Sequence, residues 1–296
     1  MQWLRGTHTH RFVGTETYEP IRLIDFDNPR ANRLVVSDEV TFHGADDRRF
    51  DIVLWVNGIP LAVGETKTPF KMSLSWLDAA SDITNTYEKR CAAFFVPNVF
   101  SFASDGTDFR YGAVGQPPEM WLPWGATTDD LNMPPLQRAL RSVELMLRPE
   151  LVLDVLRFYT LFSTAPVGDV TTRIKIIPRY PQVEAADAIV RRAKTPGLDR
   201  GLIWHHQGSG KTFLMAFAAV RLLHELEGPT VLVVLDRLDL KDDELAALQT
   251  ALFYLDGKFA YAEPLRLALQ NLALGRPGLQ DARTDTAERV RVNAPD

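Results

Sequence analysis

The sequence predicts an α/β protein that begins with a mixed sheet, continues through helices and ends in a strand–loop–helix–strand unit near residue 205. Three observations support this fold class. Short apolar runs separated by turn residues fill the first part of the chain, and Asn57-Gly58 is a strong hairpin signal. A segment with helical periodicity follows. An apolar run, a glycine-rich loop and an apolar helix then come in the order of a βαβ unit.

The first region is predicted to contain six strands and one helix. The helix covers about residues 74–90, because apolar residues recur there at helical spacing. The predicted strands are Arg33–Phe42, Asp51–Val56, Ile59–Val63, Ala92–Val96, Val99–Ala103 and Phe109–Ala113.

The later region is predicted to be helical before it becomes α/β. Gly112–Pro135, which is rich in Pro, Gly and Trp, is expected to be a surface excursion or a domain edge. The elements predicted after it are a helix over Leu136–Phe162 broken near Pro149, a linker at Thr164–Gly168, a strand at Arg173–Ile177, a helix at Pro181–Lys194, a strand at Gly201–Trp204, a helix to about Glu227 and a strand at Val231–Leu235.

Composition indicates a globular protein and leaves its function open. Hydrophobic residues make up 46% of the chain and charged residues 24%, and no apolar stretch approaches the roughly 20 residues of a membrane span. The single cysteine, Cys91, excludes an internal disulfide framework, and with no apolar signal region at the start a cytoplasmic location without membrane contact is expected. The net charge of −5 gives no support to nucleic-acid binding.

A phosphate-binding loop is predicted at His205–Thr212. The Walker pattern G-x-x-x-x-G-K-[ST] is complete except that His205 replaces its first glycine. Glycines let backbone amides approach phosphate oxygens, and the helix that follows presents a positive N-terminus. The predicted nucleotide-binding residues are Gly208, Ser209, Gly210, Lys211 and Thr212, with Lys211 on the β- and γ-phosphates and Thr212 on Mg²⁺ bound with ATP.

A second constellation consists of Asp51, Glu65 and Lys67. Two carboxylates holding Mg²⁺ beside a lysine are typical of phosphodiesterases. A regular two-residue turn at Asn57-Gly58 would place the carboxylates on opposite faces of the sheet. An odd loop, or a bulge near Pro60, would place both on one face. The acid-x-Lys triplet recurs at Asp239–Lys241, so solvated strand ends remain the alternative interpretation.

Several segments together resemble the R subunit of type I restriction enzymes. They are Arg22–Pro29, Arg49–Lys67, Phe94–Gly106, Ile177–Gln182, Ile203–Thr212 and Val231–Leu240. The resemblance runs from about residue 18 to residue 243. It implies a PD-(D/E)xK nuclease-like mixed-sheet domain over residues 1–126 with its core at about 33–115, a helical connector and linker over 127–168, and a partial RecA-like ATPase domain with an atypical tail over 169–296.

The resemblance also implies roles for individual residues. Asp51, Glu65 and Lys67 match the catalytic triad of this nuclease fold, and Gln182 matches the glutamine that contacts adenine in superfamily 2 helicases. The family's Gln-x-x-x-Tyr motif is incomplete, since Tyr87 is present but Ile83 stands at the glutamine position. The implied cofactors are Mg²⁺ and ATP. The implied partners are double-stranded DNA and the modification and specificity subunits.

The sequence therefore predicts a fragment, cut short at both ends, of an ATP-dependent site-specific deoxyribonuclease. In the full-length family, Mg²⁺-dependent cleavage is coupled to ATP-driven translocation along DNA. Two alternatives remain open. One is a catalytically incompetent remnant that acts at most as a binding subunit, and the other is a helicase-like P-loop ATPase with an unrelated amino-terminal domain.

Overall fold

The computed structural model describes residues 1–44, 47–71, 73–125, 132–167, 170–198, 200–231 and 233. All of them lie in one unit that extends from Met1 to Leu255. None of the helices in these ranges is both long enough and apolar enough to cross a membrane.

Five strands form a mixed sheet in the amino-terminal part. In chain order, the strands of the described residues are β1 (Thr9–His10), β2 (Glu19–Pro20), β3 (Leu34–Phe42), β4 (Arg48–Val56), β5 (Ile59–Thr66), β6 (Phe100–Ser104), β7 (Phe109–Gly112), β8 (Leu161–Val167) and β9 (Val170–Ile176). The five-stranded sheet has the order β3-β4-β5-β6-β7, with β5 and β6 parallel and the other pairs antiparallel. Each of β1-β2 and β8-β9 forms a two-stranded sheet.

The hairpin between β4 and β5 contains a bulge next to Pro60, one of the two arrangements that the shared-face hypothesis predicts. Asn57 and Gly58 have φ values of 52° and 80°, the left-handed conformation of a tight two-residue turn. Val56 pairs with Ile59, but the register shifts between Leu54 and Trp55. One residue of β5 is therefore unpaired, and every position beyond it changes its side of the sheet.

Helices connect the parallel strands β5 and β6 and cover one face of the sheet. They are α1 (Trp76–Ser81), a π-helical turn (Asp82–Tyr87), α2 (Glu88–Arg90) and α3 (Ala92–Phe95). The Ser75 side chain caps α1 by accepting a hydrogen bond from the Leu77 amide. Phe94 and Phe95 of α3 pack against the fully buried Phe50 of β4. The prediction of a strand at Ala92–Val96 is therefore wrong, since most of this segment forms α3. A short apolar run without periodicity is compatible with a buried helix as well as with a strand.

The second half of the described chain contains most of the predicted helices. They are α4 (Pro135–Met146), α5 (Pro149–Asp154), a second π-helical turn (Val155–Tyr159), α6 (Tyr180–Lys194) and α7 (Lys211–Glu225). Two 3₁₀ turns lie at Pro29–Ala31 and Pro118–Met120. The predicted break near Pro149 is confirmed, since α5 begins at that proline.

Two other sequence predictions differ from the structure in this half, and a third lies mostly outside the described residues. Most of the linker predicted at Thr164–Gly168 instead belongs to β8, which pairs with β9. Residues 201–206 do not form the strand predicted at Gly201–Trp204, and Leu202 and Trp204 are 80% and 86% exposed. Most of the strand predicted at Val231–Leu235 lies outside the described residues.

The described part of the segment after β7 places its tryptophans in the core, where a surface excursion or a domain edge was predicted. Trp121 and Trp124 are 3% and 2% exposed. The Trp124 ring packs edge-on against Tyr111 and Tyr180, with centroids 5.3 and 5.4 Å away. The large aromatic area removed from water explains why this segment turns inward despite its prolines and glycines.

A cavity of about 770 Å³ lies beside the helices over the sheet. Glu88 and Lys175 both line it, from α2 and β9 respectively. The Gly115 amide donates to Glu88 Oε2 at 2.8 Å, and the Lys175 ammonium donates to the Asn98 carbonyl. The cavity thus brings an acid and a base from distant parts of the chain into one partly buried setting.

The observed fold class is mixed α/β: a five-stranded mixed sheet with helices, followed by the α6 and α7 region. This arrangement is consistent with a nuclease-like domain and an ATPase-like region.

Candidate functional site

Asp51 and Glu65 lie on the two neighbouring strands β4 and β5. Ile52 pairs with Gly64, so the same register places Asp51 opposite Glu65. The Thr66 amide and hydroxyl both donate to Asp51 Oδ2, at 2.9 and 2.8 Å. The bulge in the hairpin therefore puts the two carboxylates on one face, as the shared-site hypothesis required.

Lys67 follows β5 and remains tied to the sheet. Its amide donates to the Ser104 carbonyl at 2.8 Å, which continues the pairing with β6. Its ammonium donates to Glu65 Oε1 at 2.9 Å and to Asp82 Oδ2 at 2.7 Å. The structure thus brings together all three residues of the predicted triad, and it adds Asp82.

The electrostatics of this cluster follow from the burial of Glu65, whose side chain is 6% exposed. Burial raises the pKa of Glu65, the hydrogen bond from Lys67 opposes the rise, and the Asp51 charge adds to it. Burial acts to lower the pKa of Lys67, but its hydrogen bonds to Asp82 and Glu65 outweigh burial and raise it. Lys67 therefore stays a cation beside an acid that is costly to ionise.

Two side chains from the helical connection reach the cluster. Tyr87 donates its hydroxyl to Glu65 Oε2 at 3.3 Å, so the residue that matches the family's tyrosine touches the site. Ile83, at the family's glutamine position, is fully buried in the core. Asp82 was not predicted, because α-helical spacing gives it no reason to share a face with Tyr87.

The donor set of this cluster suits Mg²⁺. Among the described residues, no group of three or more His, Cys, Asp or Glu side chains is arranged to hold a metal. Mg²⁺ is commonly bound by only one or two carboxylates, with water and substrate phosphate oxygens completing the octahedron. Asp51 and Glu65 supply two such hard oxygen ligands. A cation between them would stabilise the ionised form of Glu65, which burial and, to a smaller extent, the Asp51 charge disfavour by raising its pKa.

The predicted phosphate-binding loop precedes α7 as expected. Gly208 and Gly210 have φ values of 79° and 78°, and Gly210 is the residue at which α7 is capped. Lys211 begins the helix, and its ammonium donates to the carbonyls of His205 and His206 at 2.9 and 2.7 Å. The lysine therefore links the end of the loop to its beginning. His205, which replaces the first Walker glycine, accepts one of these hydrogen bonds with its backbone carbonyl.

Gln182 joins α6 to this loop. It is 3% exposed, and its Nε2 donates to the Gly210 carbonyl at 2.9 Å and to the Ser209 carbonyl at 3.3 Å. Its Oε1 accepts from the Arg179 amide at 2.8 Å. The positive φ of Gly210 favours glycine, and a Cβ added there would displace the Gln182 amide from its contacts with the loop.

Other features of the loop fit an anionic ligand. Ser209 is buried, and its hydroxyl has no hydrogen-bond partner among the described residues. Lys211 is exposed and Thr212 partly exposed at the first turn of a fifteen-residue helix, whose N-terminus is positive. The five predicted residues, Gly208 to Thr212, are contiguous at this helix start.

Comparison with known families matches two separate stretches of the chain. Residues 3–119 match the family model of the type I restriction enzyme R protein N terminus. Residues 181–269 match that of the SWI2/SNF2 ATPase. The chain belongs to the family of type I restriction enzyme R proteins. This corrects the alternative of an ATPase with an unrelated amino-terminal domain.

Curated relatives of this R-protein chain carry the same family name. The HindI endonuclease subunit of a type I restriction enzyme from Haemophilus influenzae is 35% identical over 240 residues, which cover 77% of this chain. A putative MjaVIIIP endonuclease subunit from Methanocaldococcus jannaschii is 29% identical over 249 residues, or 79% of this chain. The matched regions span 22% and 23% of these relatives.

Proposed function

We propose that Asp51, Glu65 and Lys67 form the Mg²⁺-dependent nuclease site of a type I restriction endonuclease R subunit that cleaves double-stranded DNA. The observation that carries this proposal is their convergence. The bulge brings Asp51 and Glu65 to one face, and the Lys67 ammonium lies 2.9 Å from the buried Glu65 carboxylate.

Each residue has a distinct role in this proposal. Asp51 and Glu65 hold the metal, which when bound supplies an activated water and offsets charge on the phosphate. Lys67, kept charged by its two carboxylate partners, binds a non-bridging phosphate oxygen and stabilises the charge that develops as the ester bond breaks. Thr66 holds the Asp51 carboxylate in place by two hydrogen bonds.

We also propose that Gly208–Thr212 binds ATP with Mg²⁺, and that Gln182 contacts the adenine while fixing the loop. Lys211 would exchange its two carbonyl partners for the β- and γ-phosphates, and Thr212 would ligate Mg²⁺. In the intact subunit, ATP use would drive translocation along DNA in a cytoplasmic complex with modification and specificity subunits. The matched regions cover less than a quarter of the relatives, so these activities belong to the proposal for the whole subunit.

The nuclease proposal is tested by plasmid cleavage with and without Mg²⁺. Glu65→Gln keeps the size of the side chain but removes its charge, and we expect cleavage to fall by about a hundredfold or more because a metal ligand is lost. Asp38→Asn is the matched control, since Asp38 is an exposed carboxylate in the same sheet, on strand β3, which pairs with β4. A folded wild-type chain that leaves the plasmid intact with Mg²⁺ would contradict the proposal and favour a binding remnant.

The nucleotide proposal has a separate test. A fluorescent ATP analogue is titrated into the wild-type chain and into Lys211→Ala, with Lys89→Ala as the control for a lost lysine on an exposed surface. We expect the loop variant to bind at least about tenfold more weakly, since it loses a charge-assisted contact to phosphate. Equal affinity of the two variants would refute phosphate binding by this loop.

A further inference from the structure

The helical connection between β5 and β6 contributes an acidic residue to the nuclease-like cluster. Lys67 lies between carboxylates from two different elements. Glu65 belongs to the same strand end, whereas Asp82 comes from the helix that packs over it. The Lys67 side chain is 17% exposed and Asp82 is 47% exposed, so Asp82 contacts the ammonium from the solvent side.

The π-helical turn explains how Asp82 reaches this position. Residues five apart differ by about 140° around an α-helix, and so they face different directions. A π-helix has more residues in each turn and bonds residue i to residue i+5. Winding Asp82–Tyr87 in this way aligns its first and last residues. Asp82 meets Lys67 and Tyr87 meets Glu65, while Ile83 between them is buried in the core.

We propose that Asp82 is a positioning residue that holds the Lys67 ammonium in its working place. Without Asp82, the Lys67 ammonium would pair with Glu65 among the described residues, and this pairing would neutralise the carboxylate that the metal site needs. With Asp82 present, the ammonium is shared between the Glu65 and Asp82 carboxylates and lies between the strand end and the helix. The part of this inference that concerns DNA cleavage rests on the proposed nuclease function.

The residue next to Asp82 cannot take its place. Ile83 is fully buried and has no polar group to offer. The Asp82 Oδ2 lies 2.7 Å from Lys67 Nζ, so Asp82 supplies the polar contact from this part of the helix to Lys67.

The experiment measures the position of Lys67 separately from catalysis. The full 296-residue chain is acetylated without metal or DNA, and mass spectrometry follows the modification rate of Lys67 beside that of the exposed Lys71. The variants are Asp82→Asn, Asp82→Glu and the control Asn85→Ala. Asn85 is exposed on the same π-helical turn, so its replacement tests whether a general loosening of the turn is enough. Cleavage by each variant is then measured with Mg²⁺ as kcat and KM.

The expected result combines both readouts. In Asp82→Asn, Lys67 is acetylated several-fold faster while Lys71 is unchanged, and kcat falls by about tenfold to a hundredfold with KM for DNA unaltered. Asp82→Glu recovers part of both effects, and Asn85→Ala behaves as wild type.

Other outcomes overturn one proposal or the other. An unchanged acetylation rate of Lys67 in Asp82→Asn would overturn the positioning role, whatever happens to cleavage. Faster acetylation with wild-type kcat would overturn its part in the reaction. If the wild-type chain does not cleave DNA, the proposed nuclease function fails, and acetylation alone decides whether Asp82 holds Lys67.

Discussion

Replacing Glu88 by glutamine is expected to change how the stability of the protein depends on pH. Burial raises the pKa of Glu88 to about 7, while the Gly115 amide and the charges of Lys175 and Lys89 partly oppose that rise. The folded protein therefore binds more protons than the unfolded chain between the ordinary value of 4.5 and about 7. Wild-type stability should fall as the pH rises through this window.

The size of the effect follows from the shift. One pKa unit corresponds to about 1.4 kcal/mol, so ionising Glu88 in the folded state costs up to about 3 kcal/mol, an upper limit because the group is partly solvated. The glutamine side chain of the Glu88→Gln variant cannot ionise, and its carbonyl oxygen can still accept from the Gly115 amide. The variant should therefore gain stability relative to wild type, by up to about that amount, between about pH 5 and about pH 7.5.

Urea unfolding at several pH values in this range measures the difference directly. The measurements stop below about pH 8 because burial lowers the pKa of Lys175 to about 8. Above that pH, Lys175 makes the stability of the protein rise with pH, which is opposite to the effect of Glu88. Glu119→Gln is the control, since Glu119 lines the same cavity but is exposed. A difference between wild type and Glu88→Gln that does not change with pH would refute the reasoning.

Three further substitutions have outcomes set by packing and charge. Gly64→Ala should lower the free energy of unfolding by about 1–3 kcal/mol in urea titrations, because the added Cβ would overlap the Phe102 ring; an unchanged midpoint would contradict this. Gln182→Ala should weaken binding of the ATP analogue about tenfold and speed amide exchange near Gly210, and wild-type exchange would argue against the anchoring role. Arg221→Leu should lower the free energy of unfolding by about 2 kcal/mol. This is less than the loss expected when one partner of a fully buried ion pair is removed, because the acidic partners of Arg221 are partly solvated. An unchanged free energy of unfolding would mean that these ion pairs do not stabilise the fold.

The sequence was informative where one local rule determined the structure. Asn57-Gly58 predicted the hairpin, and side-chain parity required a bulge if Asp51 and Glu65 were to share a face. The glycine-lysine core of the loop predicted the start of α7. These features depend on a few adjacent residues, so a single sequence was sufficient to predict them.

Prediction failed where distant contacts or unusual winding decided the outcome. The apolar run at Ala92–Val96 has no periodicity, and packing against the sheet made it helical. Most of the predicted linker at Thr164–Gly168 forms a strand because β9 pairs with it. Asp82 reaches Lys67 only through the π-helical turn, for which the sequence carried no signal. The structure brings the predicted residues Asp51, Glu65 and Lys67 together, but the sequence did not predict the contact between Asp82 and Lys67.

The bulge makes the geometry of the site depend on how many residues of β5 lie between the turn and Glu65. Leu61 is the residue of β5 that lies between the partners of Leu54 and Trp55. Deleting it would remove the bulge and leave a regular hairpin in which the remaining pairs are kept, so Asp51 would still lie opposite Glu65. Adding one paired residue between Ala62 and Glu65 would instead move Glu65 to the other face of the sheet. The number of residues in this strand therefore encodes the site, and a deletion at Leu61 should keep its geometry where an insertion beyond it should not.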